Sequence, residues 1–81
     1  MQTHRRDDSY HDTRELVESA LGRYAQLSSR KIRVGIDDHS VTLEGVVGSY
    51  YHKQLAQESA RSVARSRTIH NELLVIPAHR S

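Results

Sequence analysis

Eighty-one residues without a single cysteine make one small domain, whose core must be built from patterned aliphatic side chains because neither disulfides nor thiolate-held metals can staple it. Twelve Lys plus Arg stand against ten Asp plus Glu, a balance too even to form a nucleic-acid footprint by itself. No apolar run approaches the roughly 20 residues of a membrane span, and the polar start lacks the apolar stretch of a signal peptide. The chain as written therefore reads as soluble and cytoplasmic; as a fragment of a longer precursor it would belong in the periplasm or cell envelope.

Residues 1–11 carry mixed charge and almost no apolar side chains, so a flexible N-terminal arm is expected there. A first helix is expected from about Thr13 to Tyr24, with Asp12 as N-cap and Glu15 three residues on. Leu16, Val17, Ala20, Leu21 and Tyr24 fall on one face of it. Two strands follow. Ile32, Val34 and Ile36 alternate with Lys31, Arg33 and Gly35, and Val41, Leu43 and Gly45 alternate with Thr42 and Glu44, so each strand has a core face and a water face. The polar turn Asp37-Asp38-His39-Ser40 joins them, with Asp38 or His39 available for the positive φ that hairpin turns often use.

Ser49 is the expected N-cap of a second helix running to about Ala64. Its buried stripe is Leu55, Ala56, Ser59, Ala60 and Val63, with Tyr51 or His52 at the entrance. Small residues let such a helix lie close on a sheet. A last strand covers about Thr68 to Ile76, with Ile69, Asn71, Leu73 and Val75 on one face; Pro77 ends it, leaving 77–81 as a tail. The strand–helix–strand order implies a right-handed crossover and parallel pairing. The predicted fold is α+β: an αββαβ two-layer sandwich over residues 12–76, with a three-stranded mixed sheet and two helices on one face.

Several of these segments together resemble the BON domain family. Val41-Thr42-Leu43-Glu44-Gly45-Val46-Val47 is similar to its "V-T-L-x-G-x-V" strand. Ala56, Ala60 and Val63 are similar to its Ala-rich helix stripe, and Ile69-His70-Asn71-Glu72-Leu73-Leu74-Val75 to its closing "V-x-N-x-L-x-V" strand. Two departures stand out: His39 replaces a common turn glycine, and Arg65-Ser66 replaces a common Gly-Val after the second helix, removing an apolar anchor. The resemblance implies a single-copy, non-enzymatic module that contacts phospholipid surfaces or envelope components, as in osmotic-stress periplasmic proteins. It brings no catalytic residues.

The residues themselves supply candidates for what such a module would touch. Arg61, Arg65 and Arg67 surround the end of the second helix and suit anionic lipid headgroups or an acidic partner, since guanidinium is a planar fork of donors. Arg30, Lys31 and Arg33 form a second basic group that nearby acids dilute. Tyr50 and Tyr51 open the second helix; one is expected against the sheet edge and the other, with Tyr50 the candidate, at an interface. Leu74 and Ile76 are more apolar than a solvated sheet face needs, so the face or edge offers the alternative of protein pairing, as a monomer or weak homodimer. Gly45-Val46-Val47-Gly48 matches a KH-like GxxG string, but it closes a strand where a nucleic-acid clamp joins two helices. Gly45 is read instead as allowing close helix–sheet approach and Gly48 as shaping the turn before Ser49. His4, Asp7, Asp8, His11 and Asp12 cluster only within the arm, and no serine sits in a triad-like context, so no metal, cofactor or catalytic group is expected.

Overall fold

The computed structural model describes residues 5–27 and 31–77, with side chains from Tyr10 onward. Its elements are α1 (Arg5–Gly22), a short 3₁₀ turn (Ala25–Leu27), β1 (Ile32–Ile36), β2 (Ser40–Val47), α2 (Tyr50–Val63) and β3 (Thr68–Val75). The strands lie in the order β1-β2-β3, with β1 antiparallel and β3 parallel to the central β2. This is the predicted αββαβ arrangement, with a mixed sheet and both helices over one face.

The helix α1 begins well before Asp12, so residues 5–11 of the expected arm are helical; residues 1–4 lie outside the described residues. Nothing between Arg5 and Leu21 is Gly or Pro, and once a helix exists each added residue gains a hydrogen bond at little further cost. The Tyr10 hydroxyl, on this upstream stretch, donates to the Asp38 carboxylate. Val17, Ala20 and Leu21 face the core, but Leu16 is 53% exposed and Tyr24 lies half out. The vacated place is taken by Leu27. Gly22 ends the helix, the chain folds back, and the Leu27 amide donates to the Tyr24 carbonyl at 2.9 Å, which buries Leu27 completely.

On α2 the small-residue stripe behaves as its spacing dictates. Ala56 and Ala60 are fully buried and Ala64 nearly so, one helical turn apart, with Leu55 and Val63 packed beside them. Ser49 caps the helix, its Oγ accepting the His52 amide at 3.1 Å. Below lie Ile32, Val34, Val41, Leu43, Val47 and Leu73, all buried, completing the core. Asn71 shares that inner face and fastens β3 to α2: its Nδ2 donates to the Lys53 carbonyl at 2.9 Å and to Gln57 Oε1 at 3.2 Å.

The hairpin turn closes without positive φ at Asp38 or His39; among the described residues only Gly45 has one. Asp37 does the work instead. Its carboxylate accepts the amides of His39 at 2.8 Å and Ser40 at 2.7 Å, and the Ser40 hydroxyl besides. An aspartate that folds the backbone around its own side chain removes the need for glycine.

Gly45 is required for a different reason from the expected one. With φ at 137°, a Cβ placed there would sit 2.1 Å from the Lys31 carbonyl oxygen, so the close approach is to the start of β1, within the sheet, and not to a helix. Gly48 has open space around it and no positive φ. Gly45→Ala should therefore cost about 2–4 kcal/mol, combining backbone strain with overpacking. Gly48→Ala should stay within about 0.5 kcal/mol of the parent in the same urea unfolding series.

Candidate functional site

Arg61 sits in the last turn of α2, Arg65 just past its end and Arg67 one residue before β3. The fold does gather them: with Gln57, Thr68 and Ile69 they line one shallow depression of about 320 Å³. Their circumstances differ. Arg61 lies 3.9 Å from Glu58, one turn earlier on the helix, with both side chains largely in water. Arg65 is exposed and, among the described residues, enters no ion pair. Arg67 is half-buried and already engaged: its Nε donates to the Asp37 carbonyl at 2.8 Å and its Nη1 to Thr13 Oγ1 at 3.3 Å. Two guanidinium groups, Arg61 and Arg65, thus face solvent, and the third ties the start of β3 to the hairpin turn and to α1.

At the departure Arg65-Ser66 the chain turns with Ala64 buried before it, and the Arg67 amide donates to the Ala64 carbonyl at 3.1 Å, closing the turn.

Tyr50 does not join the arginines. It stands at the other end of α2, and 14 residues at about 1.5 Å per residue separate the two by roughly 20 Å. Neither tyrosine packs on the sheet: Tyr50 is 70% and Tyr51 68% exposed, the latter ring edge-on to His52. Helical geometry is the reason. His52, four residues before Ala56, falls on the buried stripe, whereas Tyr50 and Tyr51 fall beyond it.

Leu74 and Ile76 lie on the outer sheet face and are exposed, as is Val46, which stands beside Leu74 in register. Val46 and Ile76 also line a groove of about 610 Å³ with Lys31, Val47, Gly48, His52 and Gln26. Sequence reasoning missed this groove because its walls come from five separated segments; only an apolar Val46 at a water-facing position hinted at it. Of the other basic group, Arg33 reaches Glu44 at 3.4 Å on the outer face, and Arg30 lies outside the described residues.

Among the described residues no three His, Asp or Glu side chains come close enough to hold a metal ion; of the cluster in the arm, only His11 and Asp12 have described side chains, and His11 meets Glu15 at 3.2 Å. The Ser49 hydroxyl lies 2.9 Å from His52 Nδ1, but the same oxygen caps α2 and no carboxylate among the described residues orients the imidazole. Asp37 has a pKa lowered from its ordinary value of 3.8, chiefly by the His39 amide, then by the Ser40 amide and hydroxyl. That is the signature of a structural turn rather than of a tuned acid.

An αββαβ sandwich offering a basic corner, an apolar–aromatic end and a free sheet edge has the surfaces of a small binding module. The BON domain model matches residues 9–77, in a single copy, and the chain belongs to the BON domain family, a family of binding modules rather than enzymes. A search of curated proteins finds no significant match.

Two expectations follow from the ties at the turn. Arg67→Ala should lower stability by about 1–2 kcal/mol in chemical denaturation, the ordinary cost of losing such hydrogen bonds, while Arg65→Ala should change it by less than about 0.5 kcal/mol. Because the Asp37 pKa is depressed on folding, its contribution is fully present above its unfolded value and is lost as pH falls through the folded one. The melting-temperature gap between the parent and Asp37→Asn should therefore be widest above about pH 5 and close as the pH drops below 3.8.

Proposed function

We propose that this BON domain docks on anionic phospholipid surfaces through the corner formed by Arg61 and Arg65, and so serves at a membrane face of the cell envelope. The observation that carries this reading is the pair of water-facing guanidinium groups, four residues apart at the end of α2, sharing a depression with Glu58 and Ser62 and opposed, among the described residues, by Glu58, 3.9 Å from Arg61. Each presents a planar fork of donors suited to phosphate oxygens. Belonging to a family associated with phospholipid binding supports it further.

The expected affinity is low. A basic residue near an anionic membrane contributes about 1 kcal/mol, so two arginines hold a single copy weakly and the contact fades as salt rises. Strong attachment would require several copies acting together. The Gly45–Gly48 stretch lends no support to nucleic-acid binding: it closes β2 and leads into α2, with Gly45 pressed against the Lys31 carbonyl.

Flotation with phosphatidylcholine vesicles, with and without phosphatidylglycerol, tests the proposal. The expected result is co-migration only with the anionic vesicles, reduced by salt and abolished in Arg61→Glu/Arg65→Glu, while Tyr50→Ala binds as the parent does. Absence of salt-sensitive co-migration, or binding untouched by the double charge reversal, would overturn it.

A further inference from the structure

The free edge of β3 is eight residues long, and its polar groups can be assigned by parity. Thr68 donates to the His39 carbonyl and Ile76 to the Val47 carbonyl, each at 2.9 Å, and the register with β2 is unbroken from Thr68 to Val75. Even-numbered residues therefore bond inward to β2, and the amides and carbonyls of Ile69, Asn71, Leu73 and Val75 point to the open edge. Pro77 has the same parity but no N–H, so the edge cannot be extended past Val75 without losing a donor. The Leu73 amide leans on Asn71 Oδ1 at a long 3.3 Å.

On the outer face beside this edge the charge is lopsided, while Arg61, Arg65 and Arg67 stand beside its start at Thr68 and Ile69. Glu72 stands next to Glu44 across the β2–β3 pair, and among the described residues Arg33, on the far strand, is the one cation in an ion pair with Glu44. Whatever strand pairs with β3 is favoured if it sets a cation opposite Glu72. His70, two residues away on the same outer face, offers an imidazole N–H donor to that carboxylate when the chain pairs with itself.

We propose that two copies of this chain pair antiparallel along β3, with the two-fold axis at Asn71, joining their sheets into one of six strands. Centring at Asn71 places His70 of each copy opposite Glu72 of the other, twice, and Ile69 opposite Leu73. The competing registers are worse. Centring at Glu72 sets that carboxylate against its own copy. Centring at Leu73 opposes Glu72 to Leu74 and Ile69 to Pro77, and centring at His70 opposes two imidazoles. In the favoured register the Ile69 carbonyl of the second copy replaces the long bond now made to the Leu73 amide. An overlap of about seven residues buries less than the roughly 1,200 Å² of a standard stable interface, so the dimer is weak and concentration-dependent. Arg61 and Arg65 share a depression with Thr68 and Ile69, so the second copy comes to lie beside that basic corner.

Sedimentation of the full chain from micromolar to millimolar concentration tests this. Self-association is expected, tightened about fivefold by His70→Lys, which sets a full positive charge opposite Glu72, and weakened about tenfold by Glu72→Lys. His70→Glu/Glu72→Lys, which reverses the pair, should restore parental affinity. Amide exchange on the parent should slow at Ile69, Asn71 and Leu73 as concentration rises, with Thr68 and His70 unchanged. A monomer at millimolar concentration overturns the proposal, as does a dimer whose strength ignores the charge reversals or whose protection appears on β1.

Discussion

Three residues between β1 and β2 hold the domain together more than their surface position suggests. The Asp37 carboxylate gathers the amides that follow it, the Asp37 carbonyl receives Arg67, the Asp38 carboxylate receives Tyr10, and the His39 carbonyl receives the first amide of β3. Through that one turn the hairpin, the parallel strand and the first helix share a common fixed point. A core of aliphatic residues without Phe or Trp provides cohesion but little directional preference. The polar turn supplies the direction, fixing where β3 starts and the line along which α1 lies.

The same geometry separates the two kinds of surface that the chain presents. At the C-terminal end of α2, charge dominates, because the exposed carbonyls of a helix end favour guanidinium groups nearby. At its N-terminal end, Tyr50, Tyr51, Val46 and Ile76 make an apolar and aromatic border. A helix about 20 Å long stands between them. Residues that a linear reading would pool into one contact therefore belong to two, and a domain bound to a surface by one end still offers the other.

Much of the architecture was legible in the sequence because it rests on periodicity. Alternation at period two gave β1 and β2 their faces, the Ser49 cap and the Ala56–Ala60 spacing gave α2, and the strand–helix–strand order gave the parallel pairing. What stayed hidden depended on contacts distant along the chain. The start of α1 was misread because nothing in residues 5–11 signals a face, and their tether, Asp38, lies 28 residues from Tyr10. Leu27 drew no expectation from the sequence because its burial follows from a fold-back after Gly22. Arg67 looked like a third free cation because its acceptors, a backbone carbonyl and a threonine 54 residues away, leave no trace in local spacing. The placement of Arg61 and Arg65 was readable; that they would be the two left facing water was not.

The parallel pairing of β2 with β3 also imposes an order of assembly. The β1–β2 hairpin closes over three residues, whereas β3 can reach β2 only after all of α2 has been traversed. On a chain emerging from the ribosome, β3 appears after the other elements of this domain, so one edge of the central strand stays unpaired until it does. Any factor that shields nascent sheet edges would meet this protein there, at the strand that later becomes its least accessible.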